Sequence, residues 1–178
     1  MPVPRLPLPI RIAVGAGAAL LLVAGIGSTA AVRYGADALD VGGGFVVSVA
    51  ARDQDVWIGL PLDNRRAVPL TLHAVALRSA SNFEVVDARV IEPPQDFMLM
   101  LSRPLPPGLA DAIDAGRPVD GFVVPPRSHE RYELAVRLRH APDAAAVVRR
   151  TAITYSALGL DQGVLADGVF RMRAPRTG

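Results

Sequence analysis

The stretch Arg131-Tyr132-Glu133-Leu134-Ala135-Val136-Arg137-Leu138-Arg139-His140 alternates at almost every step. Tyr132, Leu134, Val136 and Leu138 fall on one side, with Arg131, Glu133, Ala135, Arg137 and Arg139 on the other. Successive side chains of a β-strand point to opposite faces, so this is how a half-buried strand must be written. A helix would instead need its apolar residues three and four apart. The same period sets Thr151, Ile153 and Tyr155 against Arg150, Ala152 and Thr154, and Phe170 and Met172 against Arg171 and Arg173. Runs at 45–51, 56–62, 68–77, 83–91 and 97–101 alternate less cleanly. They are rich in β-branched or aromatic residues and close on turn formers such as Asp63-Asn64, Ser81-Asn82, Pro93-Pro94 and Pro142-Asp143. About eight short strands separated by turns predict an all-β fold, an antiparallel two-sheet sandwich over residues 45–178. A domain of this size buries about 68 to 70% of its unfolded surface, enough for a core without disulfides. The one helical candidate, 109–115, lies in a segment with Pro at 93, 94, 104, 106, 107 and 118. Residues 93–121 therefore read as a long crossing connection holding a helical turn or two.

Upstream of the strands, residues 12–32 carry no charge and are bracketed by Arg11 and Arg33. At ~1.5 Å rise per residue this run reaches ~31 Å, the thickness of a bilayer hydrocarbon core, and predicts one N-terminal transmembrane helix. Ala36-Asp37-Ala38 has the small-x-small form of a signal-peptidase site. The uncharged run is longer than the ~7 to 15 residues of a cleaved signal, so an uncleaved signal anchor is the preferred reading. Arg5 and Arg11 before the span outweigh Arg33 after it, which places the N-terminus in the cytoplasm and the C-terminal domain outside the cytoplasmic membrane. Residues 1–11, with Pro at 2, 4, 7 and 9, form a cytoplasmic arm, and the glycines within 33–44 suggest a tether. Inside the span, Gly15 with Ala19 and Gly25 with Thr29 have the small-xxx-small spacing that lets two membrane helices approach.

The chain has no Cys and no Lys; all 19 basic residues are Arg. That removes thiolate chemistry, Cys-based metal centres, a Schiff base and a P-loop lysine. Total avoidance of Lys beside abundant Ala, Gly, Pro and Val is the compositional mark of a high-GC bacterial genome. Residues 33–178 hold 17 Arg against 17 acids, so the net +2 belongs to the N-terminal arm and gives no reason to expect a nucleic-acid partner. The late strands are nonetheless Arg-rich, with eight Arg against four acids over 131–178. Arg137, Arg139, Arg171 and Arg173 all take outward phases and form a candidate basic interaction face toward anionic headgroups, envelope polymers or an acidic partner.

Catalytic and metal signals are weak. His73, His129 and His140 have no acid or second His at a spacing that fixes ligand geometry. Met98 and Met100 share a strand face and offer thioethers to Cu(I) beside His129 or His140. Asp53 with Asp55, and Asp161 with Asp167, lack the oxygen density of a Ca²⁺ loop, and Ser128-His129 has no nucleophile elbow around it. No catalytic residue, metal ligand or cofactor is assigned.

Three pieces of the chain carry a resemblance. Leu60-Pro61-Leu62-Asp63-Asn64 leads into Val68-Pro69-Leu70-Thr71-Leu72; Val124-Pro125-Pro126-Arg127 precedes the cleanest strand; and Ala152-Ile153-Thr154-Tyr155 lies near the end. Over residues 56–174 they resemble an immunoglobulin-like module of bacterial cell-envelope proteins: a strand ending at Asn, a strand opening with Pro, and a penultimate strand carrying a Tyr. The Cys pair of antibody-type domains is missing, and Trp57 lies too early to equate with their core Trp. One span followed by such a domain is similar to small membrane proteins of high-GC bacteria, and the resemblance implies no activity. The expected role is a membrane-anchored accessory or protein-interaction subunit of an envelope assembly. The alternative is an envelope solute or copper binder, with a hydrolase as a weaker third.

Overall fold

The alternating run becomes a nine-residue strand at the centre of one of two facing sheets. The computed structural model describes residues 37–42, 46–50, 55–94, 105, 107–129, 131–141 and 144–173. In chain order these contain β1 Leu39–Val41, β2 Val46–Ala50, β3 Asp55–Asn64, β4 Leu70–Ser81, β5 Phe83–Ile91, helix α1 Pro107–Asp114, β6 Arg117–Pro118, β7 Val123–Val124, β8 Tyr132–His140, β9 Ala146–Ala157 and β10 Leu160–Arg173. The first sheet has the order β1-β3-β8-β5-β6 and the second β2-β10-β9-β4-β7. Every pairing is antiparallel except β2 with β10.

The inward phases meet in one core. Ile58, Leu60 and Leu62 of β3 and Leu134 and Leu138 of β8 face Leu70 and Leu72 of β4, Ile153 and Tyr155 of β9 and Phe170 of β10. The chain crosses between sheets at Asn82, whose left-handed backbone (φ 56°) turns β4 into β5. The Asn82 side-chain amide donates to the Ala145 carbonyl at 2.8 Å, and Asn suits this conformation better than a β-branched residue would.

Two expectations are corrected. The folded part begins earlier than the glycine run suggested. Ala38 is fully buried, and Leu39, Asp40 and Val41 pair with Asn64, Asp63 and Leu62, so three residues assigned to the tether are an edge strand. Their apolar-polar-apolar order, Leu-Asp-Val, is too short for periodicity to register against the flanking glycines.

The second correction concerns β8, read as wet on its outer side. Ala135 is fully buried and Glu133 only 2% exposed. Helix α1 lies against this face, and Leu109 and Ile113 form a small second core with Ile91, Ala135, Trp57 and Leu105. The helix spans Pro107–Asp114, two residues earlier than expected at its start, with Pro at the position where its missing N–H is harmless. It ends against the sheet at Gly116, where a Cβ would come within 2.9 Å of both the Ile113 carbonyl and Ile91.

The arm 1–11, the span 12–32 with Gly15, Ala19, Gly25 and Thr29, the expected strand 97–101, Met98, Met100 and Asp53 lie outside the described residues. Among the described residues no helix is long and apolar enough to cross a membrane.

Candidate interaction surface

The outer face of the first sheet is laid out by register. Asp55 of β3 stands opposite Arg139 of β8, and Glu84 of β5 flanks Arg139 from the other side. The Arg137 and Arg139 guanidiniums donate to the Asp55 carboxylate at 2.5 and 3.0 Å, and Arg139 lies 3.7 Å from Glu84. Arg89 of β5 bonds Asp87 at 2.9 Å and reaches the Ile113 and Asp114 carbonyls at the end of α1, where a cation also suits the helix dipole. The two arginines, chiefly through the Arg139 hydrogen bond, hold the Asp55 carboxyl below its ordinary range against the opposing effect of its burial. Arg89, Arg137 and Arg139 thus each have a carboxylate beside them, and these charges form a paired ladder.

Arg171 lies exposed on β10 of the second sheet, and Arg173 pairs with Ala50 at the end of that same strand. The four arginines of the candidate basic face are therefore split between the two sheets. On the second sheet, the outward row around β9 is mostly small: Ala74 and Ala76 of β4, Ala152 and Thr154 of β9, and Gly163 and Leu165 of β10, with Leu165 50% exposed. Its described ion pair is Arg150 with Asp167 at 2.8 Å, and His73 Nε2 lies 3.8 Å from Asp161.

A third region is the end of the sandwich where β1 enters. Asn64, fully buried at the end of β3, donates from its side-chain amide to the carbonyls of Val68, Val124 and Pro125 at 2.8, 3.2 and 3.0 Å. It accepts from the Arg66 amide at 3.0 Å, while its own backbone N–H donates to Ser128 Oγ at 3.0 Å. One side chain thereby satisfies loops sixty residues apart, replacing the strand partners their backbone lacks. Tyr155, fully buried, receives hydrogen bonds from the backbone at Leu39 and Ala38, and its burial raises its hydroxyl above the ordinary tyrosine range. The Asn and the Tyr singled out in the sequence thus both help to fasten this end.

The histidines do not converge. His73 is half-buried on β4; His140 is buried, with Nδ1 2.8 Å from the Ala141 carbonyl oxygen and its ring edge-on to Phe83; His129 is exposed with φ 45°. Among the described residues no three His, Cys, Asp or Glu side chains are grouped to hold a metal. Ser128 Oγ is engaged by Asn64. A shallow cavity of about 260 Å³ beside α1 is lined by Ile91, Glu92, Gly116, Arg117, Phe122 and Tyr132 among others. Arg117 stacks over the Phe122 ring at 4.4 Å, and Glu92 pairs with Arg131 at 3.1 Å, so its polar rim is already occupied.

Comparison with known proteins leaves the family open. No protein-family model and no curated protein matches the chain. Solved structures with some likeness include the GAE domain of GGA2p from Saccharomyces cerevisiae, at 12% identity over 77% of this chain and 88% of that chain, TM-score 0.30. Another is the Vibrio cholerae VesB protease, at 12% identity over 78% of this chain and 32% of that chain, TM-score 0.34. At these scores the likeness carries nothing about activity. What stands is a mostly antiparallel, all-β protein of two packed sheets.

Proposed function

We propose that this chain is a single-pass protein of the bacterial cytoplasmic membrane, with its N-terminus inside, that presents an immunoglobulin-like sandwich in the envelope as a non-catalytic accessory or interaction subunit. The observation that carries the reading is the uncharged run 12–32, which is followed within residues 33–37 by a chain already built into the fold at Ala38. An uncharged apolar segment of bilayer length is what a membrane anchor requires. The immunoglobulin-like assignment is supported by the strand ending at Asn64, the strand opening after Pro69 and the Tyr of the penultimate strand, each fastening the same end. For the interaction role, the support is that the described polar side chains that stand out are engaged in holding loops and sheets together rather than aimed into a cleft.

Alkaline carbonate extraction of native membranes, with protease added to intact spheroplasts, tests the topology. The full-length chain should stay in the pellet and lose its sandwich to external protease. Soluble mature protein beginning after Ala30 or Ala38 would overturn the anchor. Stoichiometric Cu(I) uptake by the intact chain would favour the envelope metal binder instead.

A further inference from the structure

Leu158 is expensive for the fold on two counts. It sits at the tip of the β9–β10 hairpin with φ 54°, followed by Gly159 with φ 74°, so both central residues of this two-residue turn are left-handed, as a type I′ turn requires. That turn is normally written with Asn, Asp or Gly, because a Cβ opposes the conformation and a branched apolar side chain gains nothing there. Leu158 is also 55% exposed, among the most exposed large apolar residues described. Strain and apolar exposure thus coincide at this one tip.

Register shows where that tip lies. Leu39 pairs with Asn64, Leu70 with Ala157 and Val124, and Leu160 with Ala157, so the entry of β1, the β3–β4 loop, the loop before β8 and the Leu158 turn share one end of the sandwich. Two further exposed non-glycine residues with left-handed backbone, Arg127 (φ 51°) and His129 (φ 45°), lie in the loop before β8, and Val123, 50% exposed, leads into it. Among the described residues the Arg127 side chain makes no ion pair. Ala38 lies six residues after Val32, and at about 3.5 Å each a chain of that length reaches no farther than roughly 20 Å. The interfacial layer on each side of a bilayer is itself about 5 to 8 Å deep.

We infer that this end of the domain is a lipid-contacting tip, with Leu158 seated in the interfacial layer of the bilayer and Arg127 beside lipid phosphate. The inference rests on the membrane-anchor reading above. Arg65 at this end is paired with Asp40 and Asp63, which among the described residues leaves Arg127 as the cation offered beside the apolar tip.

The absence of Cys makes the test specific. Leu158→Cys in the full chain, labelled with an environment-sensitive nitrobenzoxadiazole and reconstituted in phosphatidylcholine vesicles containing some phosphatidylglycerol, is compared with Ala80→Cys, exposed at the opposite end of the second sheet. Emission at 158 should shift to the blue and be quenched several-fold more than at 80 by lipids spin-labelled near the headgroup. With the label at Val123→Cys, adding Leu158→Asn should weaken the quenching. Equal, water-like behaviour at 158 and 80 in carbonate-resistant vesicles overturns the tip while leaving the anchor standing. Loss of the chain on carbonate washing overturns both.

Discussion

The two outer faces of the sandwich are built on opposite terms. The first sheet carries a helix, a second small core and a ladder of alternating charges; the second carries alanines, a glycine and a threonine, with one ion pair near its margin. A face covered by α1 has its side chains fixed by packing, whereas an open face is held by backbone pairing and short cross-strand contacts alone. Substitutions of similar size should therefore differ sharply between the two.

The largest contrast is expected between Leu109→Ala and Leu165→Ala. The first empties a fully buried site beneath α1 and should cost about 2 to 5 kcal/mol in urea unfolding; the second, half-exposed, should stay within about 0.5 kcal/mol. Equal losses would erase the distinction between the faces.

Asp55→Asn should cost about 1 kcal/mol at neutral pH, since the amide keeps one acceptor oxygen but loses the charge that bridges two guanidiniums. The folded carboxyl titrates below its unfolded value, so its contribution is complete above about pH 4 and disappears as pH falls through the folded value. The variant should show a flatter loss of stability on acidification, measured by urea midpoints across that range. An unchanged acid limb would remove Asp55 as a source of acid sensitivity.

At the hairpin closing the second sheet, Leu158→Gly should raise stability by about 1 kcal/mol, read as an increased Tm, because the left-handed backbone no longer opposes a side chain. The smallest effect belongs to Arg150→Ala on the open face: less than about 0.5 kcal/mol, and none at high salt, because both partners of its pair are largely exposed.

Much of this architecture was readable from period alone. Strand β8 lies where alternation put it, β9 and β10 contain the other cleanly alternating runs, and Tyr155 and Phe170 point inward as their phases required. Residues whose surroundings are set by partners distant in sequence were not readable. Ala135 looks like a solvent position until α1, some twenty residues upstream, packs over it. Arg137 and Arg139 look like free positive charge until register brings Asp55 alongside, eighty residues earlier. β6 and β7, two residues each, are too short to carry a period. The Leu158 tip did have a local signal, a two-residue gap ending in Gly between alternating runs, but the sign of φ at Leu158 follows from the pairing of Ala157 with Leu160.

The entry strand has a mechanical consequence. β1 runs from the Ala38 end inward, antiparallel to β3, and continues into β2 on the other sheet. Tension drawn outward through Ala38 along that axis loads the Leu39, Asp40 and Val41 pairings simultaneously, in shear, instead of unzipping them one by one. The Tyr155 hydroxyl and the Arg65–Asp40 pair share the load, so this edge works as a clasp that resists pulling far better than three residues of strand would by themselves.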